Sequence, residues 1–151
     1  VTTDRARHDD LRWLALACDL ARACPPSDTA FSVGAVVVDA EGRELARGHS
    51  RETDEKVHAE ESALAKLAGR DLTGATVYSS LEPCARRLSR PEPCARLILR
   101  RGVRRVVFAW REPVLFVEGD GVETLEEAGV EVVELPELAD RAREPNAHLI
   151  N

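Results

Sequence analysis

The sequence predicts an α/β protein, a three-layer α/β/α sandwich around a five-stranded mixed sheet. Three observations carry this. The elements run helix, two strands, then three helix–strand units and a last helix. The two adjacent strands are joined by the short turn Asp39-Ala40-Glu41-Gly42, which makes them an antiparallel hairpin. The later strands are each separated by a helix, which is the connection parallel neighbours need. A hairpin followed by crossovers gives a mixed sheet with helices on both faces, its last two strands parallel.

Asp4 to Cys24 reads as the first helix, with Leu11, Leu14, Cys18 and Ala21 on one apolar face and Pro25-Pro26 ending it. Ser32 to Asp39 is a Val-rich strand, apolar on both faces and therefore interior. Arg43 to Gly48 alternates polar residues around Leu45 and suits a sheet edge. After a polar loop, Ala59 to Gly69 forms the second helix, with Ala63, Leu64, Leu67 and Ala68 turned inward and Gly69 as its stop. Ala75 to Ser80 is the next strand. Pro93 suits the first turn of a third helix ending near Arg101-Gly102. Arg104 to Trp110 is a strand. Asp120 and Glu123 form a capping box for a short helix that stops at Gly129. Val130 to Leu135 is the last strand, and Pro136 opens a final helix running to about Pro145. The 151 residues suit a single domain, 1–151, without linker or internal repeat.

Apolar residues are 44% and charged residues 32% of the chain, and the formal net charge is −6. The acidic balance argues against a general nucleic-acid binder. No apolar run is long enough to span a bilayer. The first twenty residues are charged throughout and do not read as a secretory signal. A cytoplasmic protein is expected, where thiols stay reduced, so the four cysteines read as ligands or core residues. Cys18 and Cys24, on the first helix, read as small core thiols.

The chemistry concentrates in His58-Ala59-Glu60, Pro83-Cys84 and Pro93-Cys94. One imidazole and two thiolates are a donor set that zinc takes in a tetrahedron, with the fourth position left for water in catalytic sites. Nine residues separate Cys84 from Cys94, whereas structural zinc knuckles space their cysteines two to four apart. Two thiolates cancel the metal's charge and acidify water less than three imidazoles would. A dedicated base then helps, and Glu60 is placed to be one. A structural zinc site, or a zinc-stabilised binding module without catalysis, is the alternative; the intact Glu60 speaks against it.

These residues resemble the cytidine deaminase-like superfamily. Ser32-Val33-Gly34-Ala35-Val36-Val37-Val38, His58-Ala59-Glu60 and Ser80-Leu81-Glu82-Pro83-Cys84 stand in its order over almost the whole chain. His-x-Glu followed by Pro-Cys is the general mark of zinc deaminases. The resemblance implies a Zn2+ cofactor held by His58, Cys84 and Cys94, with Glu60 as proton shuttle. It also implies hydrolytic loss of an exocyclic amine as ammonia, and the Ser80 carbonyl near that amine. A homodimer is the assembly it implies. Within the superfamily the chain is most similar to the deaminase domain of riboflavin biosynthesis, here without its reductase domain. The long Cys–Cys spacing, Gly102-Val103 before Arg105-Val106-Val107, and Gly121, Leu125 and Ala128-Gly129-Val130 carry that similarity. Two stretches depart from that pattern. Thr29-Ala30-Phe31-Ser32 stands where Asn-Pro is usual, and the cysteine loop Ala85-Arg86-Arg87-Leu88-Ser89-Arg90-Pro91-Glu92 is one residue longer.

The expected substrate is therefore a small heterocyclic amine. The diaminopyrimidine ribosyl phosphate of riboflavin synthesis comes first. Cytosine, guanine, cytidine or deoxycytidylate is the alternative, and a tRNA or single-stranded DNA base is a further one, favoured only by the basic run from Arg96 to Arg105. Arg86, Arg87 and Arg90 read either as a phosphate grip or as a solvated loop or subunit contact. Phe31 reads as a ring-stacking residue or as core. Trp110, His49 and Ser50 end strands at the expected mouth of the site. His8 and His148 read as surface residues.

Overall fold

A computed structural model describes residues 4–84, 92–111 and 121–150. The helices are α1 (Asp4–Ala21), α2 (Ala59–Ala65), α3 (Cys94–Arg100), α4 (Gly121–Glu127) and α5 (Ala139–Arg143). The strands are β1 (Gly34–Val38), β2 (Glu44–His49), β3 (Thr76–Leu81), β4 (Arg105–Trp110) and β5 (Glu131–Glu134), in the sheet order β2-β1-β3-β4-β5. β1 is antiparallel to both β2 and β3, while β3–β4 and β4–β5 are parallel. Helices α1 and α5 pack on one face; α2, α3 and α4 gather on the other. This is the expected three-layer mixed sheet.

Strands β1, β3 and β4 are buried along nearly their whole length, as the Val-rich runs require. β2 at the edge alternates exposed and buried positions, with Ala46 and Gly48 inward. Gly34 lets α1 approach: a methyl group there would stand 2.0 Å from the Ala17 carbonyl oxygen. The Gly34 face of β1 is therefore the α1 face.

Three local expectations are corrected. Helix α2 stops at Ala65 and closes through a turn to Gly69 (φ +82°), which leaves Ala68 exposed. Pro93 is the N-cap of α3 and precedes its first turn, so Cys94 is the first helical residue. The single final helix is instead 3-10 turns at Pro136–Leu138 and Glu144–Leu149 flanking α5. Pro145 has no N–H to donate and crowds the carbonyl four residues back, so the α-helical ladder cannot run through it. Asp120 lies outside the described residues, while α4 itself ends before Gly129 as expected.

An ion pair between buried Asp10 and half-buried Arg105 ties α1 to the sheet. Arg105 at the start of β4 donates to both Asp10 oxygens (2.9 and 2.7 Å), and the Tyr78 hydroxyl donates to Asp10 Oδ1 at 2.6 Å. Burial pushes the Asp10 carboxyl up, but the bonds from Arg105 and Tyr78 outweigh it, and the group ends below its ordinary value. A depressed carboxyl stabilises the fold above its unfolded pKa, and that contribution is lost as pH falls through the folded pKa. Arg105→Met strands the Asp10 charge and is expected to cost about 3 kcal/mol. The loss should be full at neutral pH and should shrink below about pH 4. Urea denaturation of the two proteins at both pH values checks it.

Candidate active site

The site lies at the carboxyl end of the parallel pair β3–β4. Three chain segments converge there. His58 is the N-cap of α2, with extended backbone, and its N–H donates to Glu61 Oε1 at 3.2 Å, which fixes where the helix starts. Cys84 leaves β3 by way of Glu82, whose N–H donates to the Trp110 carbonyl at 2.9 Å and so extends the pairing with β4. Cys94 opens α3; the Ala95 N–H donates to the Cys84 carbonyl at 3.0 Å. Gly121, at the start of α4, lies against the Pro83 carbonyl so closely that a methyl group there would overlap it, 1.6 Å from the oxygen. A larger residue at 121 would displace the backbone that carries Cys84.

One potential ligand atom from each of His58, Cys84 and Cys94 lies within 4.8 Å of the others. His58 Nδ1 is 3.3 Å from Cys94 Sγ and 3.7 Å from Cys84 Sγ. A tetrahedral zinc with ordinary Zn–S and Zn–N lengths sets sulfur and nitrogen roughly 3.6 Å apart. The two separations bracket that value, so the donor set fits zinc. The Cys94 N–H points at Cys84 Sγ (3.3 Å). The hydrogen bond from the Cys94 thiol is the largest influence on Cys84 and burial opposes it. With His58 added, the thiol is held down to about 4. A metal ligand needs that thiolate form.

Glu60 sits in the first turn of α2, only 4% exposed. Burial raises its pKa above the ordinary carboxyl value, against the pull of His58. A proton-carrying group profits from such a setting, because its affinity for a proton approaches that of its partners. The Ser79 hydroxyl is 3.2 Å from Glu60 Oε2 and 2.7 Å from the Leu81 carbonyl oxygen. Sequence reasoning passed over Ser79; the available signal was a polar residue in the middle of an interior strand.

The other expected residues are placed as follows. Phe31 and Trp110 meet edge to face, ring centroids 5.2 Å apart at 72°. Trp110 ends β4 and Phe31 leads into β1, so the pair stands at the same end of the sheet as Cys84. The Ser50 hydroxyl is turned to Val33: it accepts the Val33 N–H at 2.9 Å and lies 3.4 Å from the carbonyl. The Ser80 hydroxyl accepts the Gly34 N–H at 3.1 Å, on the α1 face of the sheet. Side chains alternate along a strand, so Ser79 faces the other way, toward α2 and Glu60. His49 is half-buried, its ring 3.1 Å from the Ser50 carbonyl; His8 and His148 are exposed. Arg86, Arg87 and Arg90 lie outside the described residues. Cys18 is fully buried and burial pushes its thiol up to about 12, while the Cys24 thiol donates to the Val33 carbonyl. Cys18 is a core thiol as expected; Cys24 lies beyond the end of α1 and is only half-buried, outside the core.

Arg51 carries a role that sequence reasoning missed. Its backbone is left-handed (φ +58°), a costly conformation for a residue with a side chain. Its guanidinium donates to the carbonyls of Pro25 and Phe31 and to the Ser32 hydroxyl. The loop that carries Phe31 is thus tied to the loop that leads to His58. A lone arginine in a polar loop gave no sign of these partners.

Comparison with known proteins agrees with this geometry. The cytidine and deoxycytidylate deaminase zinc-binding region matches residues 7–110. The diaminohydroxyphosphoribosylamino-pyrimidine deaminase of Schizosaccharomyces pombe is 40% identical over 126 residues, 81% of this chain and 31% of that protein. The riboflavin biosynthesis protein RibD of Aquifex aeolicus is 40% identical over 144 residues, 93% of this chain and 38% of that one. The chain thus spans about a third of the length of these relatives. Among solved structures, Acinetobacter baumannii RibD superposes with a TM-score of 0.80 at 34% identity, covering 93% of this chain and 38% of that one. The Aspergillus oryzae Rib2 deaminase does so at 0.74 and 26% identity, covering 94% of this chain and 99% of that one. With the zinc-compatible trio, the buried carboxylate and the fold all in accord, the chain belongs to the zinc-binding cytidine and deoxycytidylate deaminase family.

Proposed function

We propose that the protein is a zinc-dependent hydrolytic deaminase whose substrate is the diaminopyrimidine ribosyl phosphate of riboflavin biosynthesis. The observation that carries the reaction is the buried Glu60 beside three convergent zinc-compatible donors, His58, Cys84 and Cys94. The substrate assignment is supported by two relatives at 40% identity, one named for that deaminase and one for riboflavin biosynthesis.

Zinc bound by the trio supplies Lewis acidity that makes water a nucleophile near neutral pH. Glu60 takes a proton from the attacking water as the C–O bond forms. It passes that proton to the ring nitrogen, then takes the proton of the new C–O–H group and gives it to the exocyclic amine. The C–N bond breaks, ammonia leaves and a ring carbonyl remains. Burial serves this by excluding bulk water and keeping the carboxyl easy to protonate. Phe31 and Trp110 form one wall against the heterocycle. Ser50 holds the start of β1, the Ser80 carbonyl faces the leaving amine, and Arg86, Arg87 and Arg90 hold the phosphate.

Phe31→Ala removes a stacking face and is expected to raise KM about tenfold with a smaller change in kcat. Steady-state ammonia release measures both. Competition between the ribosyl phosphate, its dephosphorylated form and deoxycytidylate tests the substrate. Preference for the phosphorylated pyrimidine supports the reading; equal rates with and without phosphate remove the arginine grip.

Among the described residues no helix is long and apolar enough to cross a membrane, and all four cysteines are free. Free thiols fit a reducing cytoplasm. A homodimer acting on a small molecule, without a nucleic-acid partner, completes the proposal; the net charge of −6 supports the last point.

A further inference from the structure

We propose that Ser79 is a positioning residue for Glu60: its hydroxyl fixes one carboxylate oxygen and so holds the proton shuttle in one orientation beside His58 and the two cysteines. The inference rests on the deaminase reading above. Ser79 is fully buried at the centre of β3, on the α2 side of the sheet. A serine there is out of character for an interior strand whose inward neighbours on that face are Val77 and Leu81. Its needs are already met by the Leu81 carbonyl, 2.7 Å away on its own strand. The second contact, 3.2 Å to Glu60 Oε2, therefore serves the glutamate. A hydroxyl has one hydrogen and two lone pairs, so it donates to the Leu81 carbonyl while accepting from protonated Glu60, and turns its hydrogen to Glu60 when the carboxylate is ionised.

The need for an anchor follows from where Glu60 sits. It belongs to the first turn of a helix only seven residues long, and its side chain has three rotatable bonds. Its own N–H also bonds the carboxylate. That bond is local to the residue and leaves the carboxylate free to turn with its own backbone. Ser79 comes from the sheet, which also carries Cys84 three residues beyond its last strand residue. The bond therefore references the shuttle to the same rigid element that sets a ligand.

Removing a buried support of this kind typically costs ten- to a hundredfold in rate. Ser79→Ala is expected to lower kcat about 10–100-fold with KM within about twofold and zinc content unchanged. Ser79→Thr, which restores the hydroxyl, should recover most of the loss, whereas Ser79→Val should not. A readout independent of turnover is the Glu60 carboxyl carbon resonance in 13C-glutamate-labelled, zinc-free protein, assigned through Glu60→Gln. It should shift in Ser79→Ala and return in Ser79→Thr. Wild-type kcat in Ser79→Ala, an equal loss in Ser79→Thr and Ser79→Val, or an unmoved resonance would overturn the proposal. If the wild-type protein releases no ammonia, the deaminase reading fails, while the resonance still reports whether Ser79 holds Glu60.

Discussion

Glu60→Ala is expected to cut ammonia release by about 10²–10⁴-fold, the range of a lost general acid–base group, while zinc content stays unchanged. Its carboxylate stands apart from the three-donor set, so its loss removes proton transfer and leaves the metal held. A structural zinc site would give a different result, with no activity to lose. The same residue has a stability signature. Burial raises the Glu60 pKa, so in the zinc-free fold the neutral acid is favoured more than in an exposed carboxyl. A carboxyl raised in this way costs nothing below its unfolded pKa and destabilises the fold as pH rises through its folded value. Glu60→Gln should therefore stabilise the zinc-free protein more at pH 8 than at pH 4, as seen by chemical denaturation. The residue that lowers stability is then the proposed proton shuttle, which is the usual cost of a functional site.

Cys84→Ala is expected to abolish both metal binding and activity. Cys84 is buried and its sulfur accepts the Cys94 N–H, so no solvent-exposed side chain can move in to replace it. With zinc about a thousandfold above its Kd, lost binding removes roughly 4 kcal/mol of stability. For a chain of this size that lowers Tm by roughly 8–16 °C. Chelation of the wild-type protein should match the variant, and chelation of the variant should do nothing further. Cys18→Ala is the control: a fully buried thiol in α1, away from the trio, whose removal should cost about 1 kcal/mol and leave zinc bound. Elemental analysis and thermal unfolding of the three proteins separate ligand from core.

The contrast between these two cysteines shows which parts of the molecule a sequence reveals. Cys18 falls on the apolar face of a helix with a strong period, and Cys84 and Cys94 each follow a proline outside any such face. Local pattern separates them. It also orders the strands and helices, because Val-rich runs and helix stops are local properties. The fold then brings His58, Cys84 and Cys94 within reach of one ion. Partnerships across distant segments were not legible. Asp10 and Arg105 are 95 residues apart, and each reads alone as an ordinary surface charge. Ser79 and Ser80 are identical neighbours in sequence. Only the pleat and the position of α1 decide that Ser80 serves Gly34 and Ser79 serves Glu60. Arg51 reads as loop until its three backbone and side-chain acceptors are brought around it.

The proposed reaction is ammonia release from an aminated pyrimidine by Glu60 and a zinc held by His58, Cys84 and Cys94. Its most direct test is ammonia release from the diaminopyrimidine ribosyl phosphate by zinc-loaded, chelated and Glu60→Ala protein, assayed side by side. Stoichiometric ammonia is expected from the zinc-loaded protein alone, restored to the chelated sample by zinc but not to the variant. Ammonia release that survives both chelation and Glu60→Ala, or none from the zinc-loaded protein, would contradict it.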